Sequence, residues 1–560
     1  MTWCFNCKLD QKDDHLALCK ELGHDIDADR NFQITKYEIN QMKGITEKKS
    51  KQEAENPVEK LLHFAISLMI KIRVSQADNT RVFVVVKMNN HFETIELDKK
   101  NSKAVNWLRV EAYDKLKEMY SEENCANTIG FLRAKALMKE KIESEEIHLR
   151  IAYVNNEIYY DLGRSDWKLV KISSYEITLV DYSETTPMFI RTSKIAQQVE
   201  PNFTPKGNPL YEFAKFYNIP NPELFIVHLV EEFLAGIPIP IMAIHGHAGA
   251  AKSTVSSMIK RIVDPSGEHN EDNLKSFPKG EDNFVVSLAS SYFSVFENIS
   301  FIDDEISNIL CRAVTGGTFE KRAQYTNDEV FTVTVKRKFS INGIDFAVTQ
   351  ADLADRTIMY EFERIPENAR KTDKFIEEKF RDMLPDLLGQ IFLILQKVLS
   401  TVHEVEKQIK NVPRMASFVI YGEAIYQALG HELGEFQEIY NNSIKKNLEE
   451  LYENNPVIPC LENILDDKNE VQIQANELYK KIKSFVECNG FNSKRIPQGS
   501  NGLSNWFTRS KTLLDENNIK VTKYQNNQSK RVSGMNPNAT IYSIKRSVMI
   551  QTNLKDELVL

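Results

Sequence analysis

Long apolar runs are missing from this 560-residue sequence. No stretch reaches the ~18 apolar residues that a membrane-spanning helix needs. The nearest, Leu61 to Ile72, is broken by His63, Ser67 and Lys71 and reads as an amphipathic helix. The first residues lack the basic-then-apolar order of a secretory leader. Cysteine is scarce: three of the seven fall in the first 19 residues, which argues against a disulfide framework and for a reducing, cytoplasmic setting. Repeats of fixed period are absent, which excludes solenoids and propellers. A large excess of one charge is absent too, since the net charge is only −8. The basic charge there is gathers at one end: Val471 to Leu560 holds 14 Lys and Arg against 6 Asp and Glu. That end, not the acidic remainder, suits phosphate backbones.

What is present is enough chain for three to four domains. The pattern predicts a multidomain α/β and α+β protein. Residues 1–30 are rich in Cys and His, and 31–56 form a charged linker. Residues 57–204 form an α+β domain, with strands at Val82–Val86, Ile151–Val154 and Ile158–Leu162 and a helix at Val105–Tyr120. Residues 205–390 alternate strand and helix signals, as an α/β layer does. A helical region follows over 391–470, then a basic domain over 471–548 and a tail over 549–560.

The strongest chemical signal is the apolar run Ile239–Ile244, then Gly246-His247-Ala248-Gly249-Ala250-Ala251-Lys252-Ser253-Thr254, then a helix to Val263. A strand feeding a loop of small residues that opens a helix points successive N–H groups at a phosphate, at the positive end of the helix dipole. Lys252 would reach the β- and γ-phosphates of ATP, and the Ser253 hydroxyl would bind Mg²⁺. The usual G-x-x-x-x-G-K-[ST] pattern has Gly where this chain has Ala251. A Cβ there costs about 1–2 kcal/mol if the backbone is left-handed.

A phosphate loop needs an acid on the metal side, and Tyr292–Asn298 ends an apolar run in Glu297. Asn298 follows where a water could be oriented. Asp303, Asp304 and Glu305 are the rival acids, but they suit the first turn of a helix over 304–314. Next, Phe339–Ile344 is a short strand ending at Asn342, and Arg356 stands just before the strand Thr357–Phe362.

These elements, in this order, resemble the superfamily 3 helicases of viruses and plasmids, within the AAA+ class. They are more similar still to P-loop ATPases of phages and mobile elements that accompany helicases and primases. Gly246–Thr254, Phe296–Ser300 and Leu310–Gly317 carry the resemblance, extended by Ile341–Ile344 and Asp352–Arg356, within roughly Leu210 to Ser400. The chain departs from that group at Glu297, where Asp is usual. The resemblance implies an AAA+ core in which Asn342 is a sensor and Arg356 an arginine finger. It also implies a ring, a hexamer in the usual case, with ATP at subunit interfaces and one DNA strand in the pore. In that setting Lys321, Arg322, Tyr325, Lys336, Arg337 and Lys338 belong to a hairpin that grips the strand, the cations on phosphates and Tyr325 on a base.

Cys4, Cys7, Cys19 and His24 have spacing suited to a small zinc finger, with His15 a rival ligand. At the other end, helices at Glu477–Cys488 and Leu503–Glu516 precede two strands. This looks like a winged helix, in which Arg509 and Lys511 meet duplex DNA and Lys530 and Arg531 the adjacent phosphates. The sequence therefore predicts an ATP-driven DNA helicase or translocase in replication of a mobile element. The alternative is a nucleotide-switched DNA-binding loader or regulator with little turnover. A small-molecule kinase fits poorly, because a basic tail follows the core where a lid is expected.

Overall fold

The computed structural model describes residues 57–546 apart from short internal segments: 89–90, 139–141, 268–273, 300–301, 303, 323–329, 344–350, 454, 492–495, 498 and 528–530. The zinc set Cys4, Cys7, Cys19 and His24 lies outside the described residues, as do Tyr325 and Lys530.

The first unit contains α1 (Pro57–Leu68), β1 (Met69–Ser75), β2 (Val82–Met88), β3 (His91–Glu96), α2 (Ser102–Leu116), α3 (Glu122–Leu137) and β4 (Ser144–Glu145). Its sheet has the order β3-β2-β1-β4. The unbroken apolar run in β2 follows from burial on both faces. Val82, Val84 and Val86 pack with the helices, while Phe83 and Val85 face Ala152, Tyr159 and Trp167 of the next unit. Asn101 caps α2 by accepting from the Lys103 N–H, and Lys117 ends it in a left-handed conformation.

A meander follows: β5 (Ile147–His148), β6 (Ile151–Val154), β7 (Glu157–Asp161), β8 (Lys168–Ile172) and β9 (Ile177–Asp181), with β10 (Met188–Phe189) running parallel to β5. β6 to β9 form one antiparallel sheet. Its inward residues, among them Ile158, Tyr160 and Ile172, join the core of the central unit. The stretch read as a boundary near residue 205 is itself packed. The Asn202 N–H donates to the Pro385 carbonyl at 2.9 Å, and its side chain reaches Asp386 at 2.6 Å. One face of the meander, from Leu149 to Ile172, therefore shares a core with the unit that follows.

That unit begins with α4 (Pro209–Phe216) and α5 (Pro222–Glu231). It continues through β11 (Ile241–Gly246), α6 (Lys252–Val263), β12 (Leu274–Ser276), α7 (Glu281–Ala289) and β13 (Phe293–Glu297). After these come α8 (Asp304–Thr315), β14 (Gly317–Arg322), β15 (Val330–Val335), β16 (Lys338–Asn342), α9 (Ala351–Ala354) and β17 (Thr357–Phe362). Five parallel strands in the order β12-β13-β16-β11-β17 form its sheet. The central strands read as apolar runs because a parallel sheet is covered on both faces. α8 starts at Asp304, as expected for an acid-led helix.

The 36-residue α10 (Asp373–Gln408), α11 (Ala416–Ala428) and α12 (Glu435–Glu453) complete the shared core. α10 is long and apolar enough to cross a membrane by length and composition, which the sequence had not suggested. Its apolar side is taken up in the core, with Leu387, Ile391, Leu395 and Val398 fully buried.

The last unit has its own core and runs α13 (Val457–Leu465), β18 (Glu470–Gln474), α14 (Ala475–Cys488), α15 (Gly502–Arg509), α16 (Lys511–Glu516), β19 (Ile519–Gln525) and β20 (Thr540–Arg546). Its antiparallel sheet has the order β18-β20-β19. The unit starts earlier than residue 471, because α13 packs into it. The predicted single helix 503–516 is split in two at Ser510.

Candidate nucleotide site

All five strands of the central sheet point the same way, so their C-terminal ends share one edge. In such sheets ligands bind at that edge. β11 ends there at Gly246, β13 at Glu297 and β16 at Asn342. In the sheet, β16 lies between β11 and β13, so Glu297 stands about 10 Å from the loop, two strand spacings away. α6 packs across β11, β13 and β16.

The loop from Gly246 to Lys252 is shaped by three unusual backbones. Gly246 has φ 134°, and a Cβ there would lie 2.1 Å from the Phe362 carbonyl of the paired β17. Gly249 has φ 80°, and its carbonyl accepts from the Ile365 N–H at 3.4 Å. Ala251 has φ 59° and ψ 21°, so the position that usually carries Gly is left-handed here with a Cβ in place. His247, Ala248 and Gly249 are exposed, Ala250 is buried, and Ser253 is exposed in the first turn of α6, with Thr254 half-buried behind it.

Lys252 folds back over its own loop, donating to the carbonyls of Gly246 at 2.7 Å and His247 at 2.8 Å. Burial lowers its pKa. Those two carbonyls hold the ammonium against the loop.

Asn342 is 2% exposed and is held at both ends of its amide. Its Nδ2 donates to Ser256 Oγ on α6 at 3.0 Å, and its Oδ1 accepts from the Asn298 N–H at 3.2 Å. Glu297 is half-buried and Asn298 exposed, with φ 58°. Asn tolerates that left-handed conformation better than most residues. Lys252, Asn342, Glu297 and Asn298 are thus gathered at one edge.

Arg356 is not at that edge. Its carbonyl accepts from the Ile241 N–H at 2.7 Å, so it sits where β11 and β17 begin. The six-residue β17 puts it about 20 Å from its own phosphate loop. Its guanidinium pairs with Asp352 at 2.5 Å, and Asp352 also binds Arg414 at 2.6 Å.

The hairpin cations also require correction. β14 and β15 pair in register from Gly317↔Val335 to Arg322↔Val330, so the hairpin exists, and it leaves the sheet at the edge opposite the phosphate loop. Lys321 and Arg322 lie on β14, with side chains outside what is described. Lys336 is exposed. Lys338 is not a surface cation: it is 8% exposed, its ammonium donates to the Glu231 carbonyl, and burial lowers its pKa to about 8. Arg337 turns inward as well, into a cavity against His148 and Tyr292. In the last unit Lys511 is exposed and lines a groove with Lys520, Lys523 and Tyr542, and Arg531 is exposed. Arg509 is on α15, with its side chain outside what is described.

Two residues near the loop were missed from sequence. Ser256 holds Asn342. Arg370 places its Nη2 3.6 Å from where a Gly249 Cβ would lie. The available signal was position, because Arg364, Arg370 and Lys371 directly follow the last core strand and so emerge at its C-terminal edge.

Residues 208–437 match the family described as actinomycete integrative conjugative element replication protein. No curated protein matches the chain. Among solved structures, SCCmec type IV Cch, described as an active helicase, is similar with TM-score 0.40 and 11% identity, over 86% of this chain and 94% of that one. The A form apo structure of the NrS-1 C-terminal region gives TM-score 0.36 and 12% identity, over 87% of this chain and 99% of that one. Likeness at that level bears on neither the site nor its activity. The central part of the chain is therefore similar to a mobile-element replication protein over the stretch that carries the loop Gly246–Lys252 and the ends of β13 and β16.

Proposed function

We propose that the chain is an ATP-dependent DNA helicase or translocase of the AAA+ type, acting in replication of a mobile element. The observation that carries this reading is the meeting of Lys252, Glu297 and Asn342 at one edge of a parallel sheet, with the acid's strand one removed from the loop's strand. Seven loop residues and the N-terminus of α6 would cradle the triphosphate, and Lys252 would leave its two carbonyls for phosphate oxygens. The exposed Ser253 hydroxyl and the half-exposed Glu297 carboxylate are hard oxygen donors of the kind Mg²⁺ takes. The ion would supply charge neutralisation at the phosphoryl oxygens. Asn342, fixed between α6 and β13, would orient a water with Asn298.

Arg356 cannot serve its own site across the sheet. As a finger it would act on a neighbouring subunit in a ring, after release from Asp352. The hairpin, through Lys321, Arg322, Tyr325 and Lys336, would hold single-stranded DNA. The last unit, with helix, strand, three helices and two strands in order, supports a winged-helix reading in which Arg509, Lys511, Lys530 and Arg531 face duplex DNA. A zinc ion on Cys4, Cys7, Cys19 and His24 remains part of the proposal.

Purified full-length protein should hydrolyse ATP, faster with single-stranded DNA, and Lys252→Ala should abolish turnover. Under the second reading, a nucleotide-switched DNA-binding protein, ATP would change DNA affinity while turnover stayed negligible with or without DNA. Departure of the Lys252→Ala chain from neither behaviour would remove both.

A further inference from the structure

A cavity of about 50 Å³ lies at the root of the β14–β15 hairpin, at the sheet edge opposite the phosphate loop. His148, Leu149 and Ile151 of the meander form one wall. Ile237, Ile239 and Pro240 form another, and Tyr292 closes it. Three successive cations, Lys336, Arg337 and Lys338, line it.

The partners of these groups leave one charge unanswered. Lys338 gives its ammonium to the Glu231 carbonyl. The Tyr292 hydroxyl donates to the Glu232 carbonyl at 2.8 Å. Arg337 has a buried Nε, and among the described residues no side chain or carbonyl accepts from it. Burial lowers its pKa, and the Glu146 carboxylate acts on it only through space. Glu146 is itself more than half exposed and stands 4.0 Å from the His148 ring. Burial and then Arg337 hold His148 neutral, with its pKa near 3, so the ring keeps one N–H to donate. Arg337 as a whole is half-buried, and its guanidinium carries five donors in a planar fork that matches an oxyanion.

We propose that this cavity is an oxyanion site, in which Arg337, with Lys336 and the His148 N–H, holds one phosphate-sized group. The enclosed space is small, of the order of one phosphate group. The site does not depend on the nucleotide reading, because it lies at the other end of the sheet. The phosphate is either free in solution or belongs to a nucleic-acid strand resting on the hairpin, and the chemistry at Arg337 is the same.

The test uses the full chain carrying Lys252→Ala, so that the phosphate loop is weakened, in chloride buffer at fixed ionic strength. Sodium phosphate titrated by calorimetry should bind at one site. Arg337→Met should lower that affinity at least tenfold, and Glu146→Gln, which removes the competing carboxylate, should raise it. If Arg337→Met does not fold, Lys336→Ala carries the same comparison with a loss of threefold or more. Heat no different from that of sodium chloride, or unchanged binding in Arg337→Met, overturns the proposal, as does weaker binding in Glu146→Gln. An unphosphorylated oligothymidylate then identifies the source. Displacement of phosphate assigns the pocket to a strand phosphate, and simultaneous binding assigns it to the free ion.

Discussion

Asn342 and Ser256 are joined by one hydrogen bond of 3.0 Å that ties β16 to the helix opened by Lys252. The other end of the same amide holds the Asn298 N–H, so a single side chain sets the spacing of three elements around the candidate site. Asn342→Ala is expected to lower kcat about 100-fold if the amide also positions water, with the KM for ATP nearly unchanged. It should also cost about 1–3 kcal/mol of stability, because the buried Ser256 hydroxyl loses its partner. Steady-state ATPase assays and urea denaturation of the same preparation separate the two effects. A matched rise in KM with unchanged kcat would contradict the assignment.

Ala251 pays for its left-handed backbone. Ala251→Gly should stabilise the chain by about 0.5–1 kcal/mol, the strain relieved less the added freedom of the unfolded Gly. Ala251→Val should destabilise it by more, since a β-branched residue is strained further at φ 59°. Denaturation midpoints in urea read both, and a stable valine variant would show that the loop relaxes.

Arg150 and Asp264 link the meander to the core. Arg150 is fully buried and donates to Asp264, and to the carbonyls of Asp161, Ala196 and Pro265. Asp264 in turn accepts from Lys260 and from the N–H groups of Tyr292 and Phe293, where β13 begins. Arg150→Met should cost about 3–5 kcal/mol, as removal of one partner of a buried pair does. Asp264→Asn should cost a similar amount, and the double variant less than the sum. Additive losses in the double-mutant cycle would mean that the pair is not coupled.

Acid should weaken the fold below neutrality. His148 and His228 are both buried, and burial, the larger cause in each, lowers their pKa from 6.5 to about 3. Between those values the unfolded chain binds protons that the folded chain does not. Stability is therefore full above pH 6.5 and falls as pH drops toward 3, by up to about 1.4 kcal/mol per pH unit for each ring. His148→Gln should remove about one proton's share of that slope in denaturation midpoints taken from pH 7 to pH 5. An unchanged slope would place the His148 titration elsewhere.

The candidate phosphate loop was legible because everything it needs is contiguous: strand, small residues, Lys252 and helix. Glu297 and Asn342 were legible because each ends an apolar run. Ser256 and Arg370 were not, since their roles arise only where segments distant in sequence meet. The basic run Lys336–Lys338 misled for a local reason. Burial rises from exposed Lys336 through half-buried Arg337 to buried Lys338 as the chain enters β16, and residue type alone does not reveal where a run of cations goes under. The region 57–204 read as one domain because a sequence shows that Ile158 or Tyr160 is buried but not against what.

β16 has one end at the root of the hairpin and the other at Asn342, only five residues later. It pairs with β13 over Lys338–Ile341 and with β11 over Ser340–Asn342, so every residue has a neighbouring strand. Such a strand behaves as a stiff rod. A shift of an ångström at Asn342 arrives as a shift of similar size where the hairpin is mounted, with no hinge between to absorb it.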